Sequence, residues 1–334
     1  MTVTRGGDRP LMSRPRRLAV RDHIRQLDPV DDHVEIVRLS GMVDFPWDVT
    51  RALEFALFRT FASPRVSGLL ARTGEFTRRP QRRYDETDLL IATFVEHGYD
   101  SPQGRQAISR MNTIHGRFRI RRLDHLYVLS TFVFEPQRWI DRYGWRRLTD
   151  NEREAGFRFW CEVAARMGID DLPADRRSFE AFNREYEREH FRYARSNEVV
   201  ARATMSMFVG WLLPQPLRPL GERGVRALMD PPLLDAFGFP HPLAAERTVV
   251  SGALRARARA QRLLPARRRP VWRTERHPRS YPDGYSITEL GPPPPGIEPA
   301  GPDGGARAVD DALAEPDPRG ATPWSPDHPN PDCP

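Results

Sequence analysis

Three stretches of the chain combine residue types and spacings that can do chemistry. The first is RMNTIHGRF at 110–118, where His115 sits among Ile108, Met111, Ile114 and Phe118, apolar residues recurring at helical spacing. An imidazole on such a face is either a core residue with a satisfied hydrogen bond or the ligand of a bound group, and these nine residues hold no second metal ligand. The second stretch is RRYDETDLL at 82–90. Four positions apart, Arg83 and Thr87 share one face of a helix, pairing a permanent cation with a hydroxyl that donates or accepts. Thr87 can equally be read as the cap of the following helix, with Arg83 a surface cation. In the third, EREH at 187–190, Glu187 and His190 have the i, i+3 spacing found in di-iron helix bundles. Such a site needs a second copy, and no other histidine here has a glutamate three positions before it. A solvated helix face is the reading for that stretch.

Composition removes several classes of function. The 334 residues are 39% hydrophobic and 29% charged, enough to bury a substantial core. The net charge is +7, and every cation is an arginine because the chain has no lysine. These arginines are interleaved with acids rather than gathered into a stripe, so nucleic acid is not the expected partner. Without lysine there is no P-loop and no Schiff-base chemistry. Neither a Gly-x-Gly-x-x-Gly run nor a Gly-x-Ser-x-Gly elbow occurs. The two cysteines, Cys161 and Cys333, form no Cys-x-x-Cys pair, which speaks against a zinc cage, an iron–sulfur cluster or a disulfide framework. The arginine pair in SRPRRLAV (13–20) is followed by RDHIRQLD instead of an apolar run, so a cytoplasmic location is expected. MSMFVGWLLP (205–214), the most apolar stretch, is too short to span a bilayer.

Helices must position these residues. Strand-like alternation is nearly absent, and the fold class read from the sequence is all-α, a single multi-helix domain. Residues 1–43 are polar and weakly patterned and read as a flexible arm, with dense helical signals from Asp44 onward. WDVTRALEFALFRTFASP (47–64) offers Asp48 as an N-cap and Pro64 as a stop. TDLLIATFVEHG (87–98) ends on Gly98, suited to a left-handed C-cap, and SPQGRQAISRMNTIHGRF (101–118) opens with a serine cap and a first-turn proline. In LDHLYVLSTFVFEPQRWIDRYG (123–144), Pro136 predicts a kink or break and the aromatic residues read as core. Thr149 and Glu152 form a capping box at the head of 149–168. Further helices are expected at 178–194, 196–213 and 241–263. The proline- and glycine-rich residues 292–334 are expected to be disordered.

LLARTGEFTRRPQRRYDETDLLI, DSPQGRQAISRMNTIHGRFRI, LYVLSTFVFEPQRWIDRYGWRRLTDNE, WCEVAARMGIDDLP and YPDGYSITELGP follow one another in that order. Together they resemble the catalytic-domain family shared by the fungal MpaB oxygenases and the bacterial rubber oxygenases (latex clearing proteins), with the fungal-type branch closer. The family was long catalogued as a domain of unknown function, and the resemblance covers residues 44–291. It implies an all-α fold with a distant globin-like core. It also implies haem b as cofactor, dioxygen as co-substrate and oxidative cleavage of the double bond of a hydrophobic, isoprenoid alkene. Residue by residue, His115 matches the axial ligand of the haem iron, and Arg83 and Thr87 match the pair beside its distal face.

Two positions depart from the rubber enzymes. Glu86 stands where they carry a lysine that caps the iron, and Glu75 is the nearest match to their upstream glutamate base. A small intracellular alkene is therefore expected in place of a polymer. No transmembrane segment is expected, only peripheral contact with a membrane through the pocket mouth. The alternative from another class is a non-catalytic haem- or lipid-binding helical protein; Arg83 and Thr87 beside His115 favour the enzyme.

Overall fold

The apolar stripes of the sequence become the buried faces of helices. The structure, a computed structural model, describes residues 18–267 and 269–292, and no strand occurs among them. The expected tail from 293 onward and residues 1–17 of the expected arm lie outside the described residues.

The arm reading is corrected for the rest of that segment. Helices α1 (Ala19–Ile24) and α2 (His33–Arg38) lead into a π-helical turn (Leu39–Asp44). Ile24 and Ile36 are fully buried, with Leu39 and Val43 extending the same cluster. These few apolar residues are diluted among charged ones, so composition hides them. Polar ties complete the attachment: Asn151 donates to the carbonyls of Ile24 (3.2 Å) and Leu27 (2.8 Å), and Ser40 donates to Glu152 (2.8 Å).

Helix α3 (Pro46–Phe61) begins with its proline in the first turn, where a missing N–H costs nothing. Asp48 is thus no cap. It is fully buried and accepts from Trp139 Nε1 (3.3 Å) and Arg257 Nη1 (3.1 Å). Pro64, expected as a stop, opens α4 (Pro64–Thr73), which leads into the single turn α5 (Glu75–Arg78). Helix α6 (Pro80–His97) starts seven residues before Thr87, because Pro80 takes its first turn. Gly98 leaves it with φ 85 and ψ 144, positive in φ but extended rather than left-handed helical. Helix α7 (Pro102–His115) is capped as expected, Ser101 Oγ accepting from Gly104 N at 2.9 Å.

Helix α8 (Arg122–Tyr143) packs along α3. Pro136 lies inside it without ending it, because its neighbours Val133, Phe134, Glu135 and Gln137 are held by tertiary packing that outweighs one lost backbone bond. Helix α9 (Asp150–Arg166) carries the predicted capping box and packs on α2. Helix α10 (Arg176–His190) corrects the solvated reading of Glu187, which accepts from Arg59 Nη1 (3.0 Å) and Tyr127 Oη (3.2 Å). His190 instead stacks on Tyr186, at 4.2 Å between ring centroids.

Helices α11 (Arg195–Leu212), α12 (Arg218–Leu228), α13 (Pro231–Phe237) and α14 (Ala244–Leu263) complete the bundle. Phe58, Phe61, Phe76, Phe208 and Phe237 meet between α3, α5, α11 and α13. Each such buried side chain contributes roughly 1.5–3 kcal/mol of transfer free energy.

The last described segment, 269–292, returns across α6 as a strap. Buried acids of α6 hold it: Glu96 accepts from Arg273 N (2.5 Å), Asp85 from Ser280 N (2.9 Å) and Glu86 from Tyr281 Oη (2.9 Å). Its end lies on α7, where Arg110 Nε donates to the Leu290 carbonyl at 2.6 Å. Gly291 has φ 100, and a Cβ there would stand 2.3 Å from Ile114 Cδ1, so only glycine serves.

Candidate functional site

Between α6, α7 and the start of α8 lies a cavity of about 550 Å3 whose wall includes Arg83, Thr87, His115 and His125. Leu90, Phe94, Ile114, Phe118, Leu129 and Phe132 give it an apolar lining. Arg72, Arg119, Arg121 and Arg192 are exposed members of the wall and mark its mouth. Arg83, Thr87 and His115 are therefore in one wall, brought together by the packing of α6 on α7, whereas Glu187 and His190 are not part of it.

His115 is the last residue of α7. Its Nδ1 is buried and has no hydrogen-bond partner among the described residues. Burial, then His125, then Arg83 pull its pKa down to about 4, so the ring is neutral and keeps a lone pair for a ligand at neutral pH. A second imidazole faces it: His125 lies 5.3 Å away between centroids, and its buried Nε2 also lacks a partner. Burial lowers its pKa as well, against the raising effect of Asp124. Sequence reasoning missed His125. The turn at 116–121 brings the first turn of α8 beside the end of α7, and no sequence periodicity carries across that break.

Arg83 and Thr87 lie within one continuous helix, so Thr87 is not a helix cap. Arg83 Nη1 donates to Thr87 Oγ1 at 2.7 Å, and that hydroxyl donates to the Arg83 carbonyl at 2.9 Å. The guanidinium also lies 5.6 Å from the centre of the Phe76 ring. No ion pair to it occurs among the described residues; burial lowers its pKa, with Glu86 and Glu75 acting only as more distant charges in the other direction. The remaining N–H groups of Arg83 are thus not committed to a carboxylate.

Glu86 and Glu75 fall out differently. Glu86, one residue before Thr87, is absent from the cavity wall and accepts from Arg82 Nε (3.0 Å) and Tyr281. It anchors the strap rather than facing a ligand. Glu75 does reach the wall, but Arg79 Nη2 holds its carboxylate at 2.5 Å.

An all-α bundle around an apolar cavity, with two unpartnered imidazoles and an uncompensated guanidinium in the wall, defines a helical protein with room for a hydrophobic ligand. The family described as the ER-bound oxygenase mpaB/B′/rubber oxygenase catalytic domain matches residues 55–263, and the chain belongs to it. Its relatives include an ER-bound oxygenase mpaB of Penicillium roqueforti (strain FM164), 29% identical over 226 residues, which are 62% of this chain and 75% of that protein. An ER-bound oxygenase mpaB′ of Penicillium brevicompactum is 28% identical over 247 residues, 69% of this chain and 58% of the relative. The mpaB of the same species is 32% identical over 152 residues, 43% of this chain and 39% of the relative. The chain thus spans only part of the length of the relatives it matches.

Proposed function

We propose that this oxygenase-family chain is a haem b-dependent oxygenase in which His115 is the axial ligand of the iron, and that it cleaves the double bond of a hydrophobic, isoprenoid alkene with dioxygen. The observation that carries the reading is the unpartnered, neutral His115 in the same apolar wall as an Arg83 that no carboxylate neutralises. The residues present fit the group. No cluster of three or more His, Cys, Asp or Glu among the described residues could hold a bare metal ion, whereas a haem iron asks the protein for only one or two axial ligands. Arg72, Arg119, Arg121 and Arg192 at the mouth would hold its carboxylates.

When bound, haem supplies the redox chemistry that lets dioxygen react with a closed-shell alkene. The chain's own residues do the rest. The apolar wall keeps water out and strengthens every charge interaction inside. Arg83 directs N–H groups toward negative charge that develops on oxygen, where a preorganised donor acts far better than in water. Thr87 holds that guanidinium in place through its hydroxyl. Arg83 and Thr87 together beside His115 favour the enzyme over a protein that only stores haem or lipid. The same reading keeps the protein in the cytoplasm, with at most peripheral contact with a membrane. Among the described residues no helix is long and apolar enough to cross a membrane.

The visible spectrum of the purified protein tests this. A Soret band in the wild type, lost in His115→Ala with helical circular dichroism retained, is the expected outcome. A colourless wild type that also fails to take up haemin overturns it.

A further inference from the structure

Behind the main cavity lies a second one of about 110 Å3, lined by residues of α3, α6, α8, α9 and the π-helical turn. Ile91, Phe132 and Trp160 border both. Phe132 and Trp160 stack at 4.8 Å with an interplanar angle of 25°, so the partition is a packed aromatic wall. No residue around the second cavity is exposed.

Two glycines help to keep this space open. Gly41 lies in the π-helical turn and Gly156 inside α9, and neither has a positive φ. Apart from the chain neighbours and the backbone of its own helix, no heavy atom stands within 4 Å of where a Cβ would be at either position. Glycine inside a helix destabilises it relative to alanine, and alanine would fit, so backbone conformation does not explain these residues. Glu152, Gly156 and Trp160 follow one another at i, i+4 and all line the cavity, which places the missing side chain of Gly156 toward it.

The polar groups of this wall are already matched. Ser40 donates to Glu152 at 2.8 Å, Arg273 pairs with Asp88, and Gln137 donates to the Arg153 carbonyl at 3.4 Å. Nothing there calls for a bridging water, and the rest of the lining, with Val49, Leu53, Ile91, Val133 and Ile140, is apolar, as in the cavities that admit small apolar molecules such as xenon.

We infer that this second cavity holds dioxygen and delivers it to the main cavity across Ile91, Phe132 and Trp160. The partition selects the occupant: side-chain fluctuation passes a diatomic gas, but not an alkene chain. The inference rests on the oxygenase reading given above.

Xenon, an apolar probe of similar size, tests the site in the full chain, by xenon-129 resonance or by diffraction under xenon pressure. Wild type should bind xenon beside Gly156, Gly156→Val should not, and Gly156→Ala should bind less while melting no lower than wild type. In oxygen-consumption assays Gly156→Val should raise half-saturating dioxygen several-fold, with half-saturating alkene and visible spectrum unchanged. Absence of xenon from the wild-type cavity, or the same dioxygen dependence in both proteins, overturns the inference. Xenon bound there in a chain that takes up no haem would defeat the proposed cofactor and leave the gas site standing.

Discussion

Arg59 and Arg83 are both withdrawn from water, and the protein treats them in opposite ways. Arg59 Nε meets Glu135 at 2.8 Å, Nη1 meets Glu187 at 3.0 Å and Nη2 meets Asp230 at 2.6 Å. Burial would lower its pKa, yet these three carboxylates together carry it well above the ordinary value. Arg83 has a hydroxyl and a phenyl ring but no carboxylate, and burial leaves its pKa lowered. The first guanidinium ties α3 to α8, α10 and the cap of α13. The second keeps hydrogen-bonding capacity directed at a cavity. Burial alone does not tell a structural cation from a functional one; what surrounds its N–H groups does.

The largest effect expected from breaking this contrast is on stability. Arg59→Met leaves Glu135 and Glu187 buried without their main counter-charge, which costs about 3–5 kcal/mol when one partner of such a network is removed. Chemical denaturation reads it directly, and a variant as stable as wild type would deny Arg59 its structural role. Arg83→Met breaks no ion pair and should leave the denaturation midpoint within error of wild type, while oxygen-dependent turnover is lost.

A smaller catalytic effect is expected at Thr87. Thr87→Val keeps the shape and removes the oxygen that holds Arg83, so turnover should fall on the order of 10²-fold with the visible spectrum unchanged. Oxidation of the alkene at the wild-type rate would show that Thr87 does not serve Arg83.

A further effect concerns Glu54, a buried carboxyl of α3 that lies outside the Arg59 network. Burial pushes Glu54 up to about 7, although Arg51 and Arg273 act against it. Unfolded, the group loses its proton near 4.5. Between these values the folded state holds a proton that the unfolded chain has released, so stability is full below pH 4.5 and falls as the pH rises to 7. The loss should be at most about 3 kcal/mol, and Glu54→Gln should flatten that part of the curve. Denaturation midpoints at pH 5 and pH 8 decide it; an unchanged slope in the variant would place the titration elsewhere.

Much of this was legible in the chain itself. Period-3.6 patterning, Ser101 with Pro102 and the Thr149–Glu152 box located the longer helices, because caps and apolar stripes act over a few residues. His115, Arg83 and Thr87 were visible by type and spacing for the same reason. The segment at 19–44 was misread because its apolar residues are few, and their burial depends on α9, more than a hundred residues away. Helix α6 was expected to begin at Thr87, since the run RRPQRRYDET is polar although part of it is covered by the strap.

By itself, then, the sequence determined an all-α chain whose α6 and α7 carry a cation, a hydroxyl and an imidazole on usable faces. Only the tertiary structure decided which of them look into a common cavity. It turned Glu86 toward Tyr281, gave Glu187 to Arg59, set His125 beside His115 and left Arg83 without an acid. The physical reason is one of range. Helical periodicity is written in neighbours three and four residues apart, whereas the partner of a buried nitrogen is chosen by whichever distant helix packs against it.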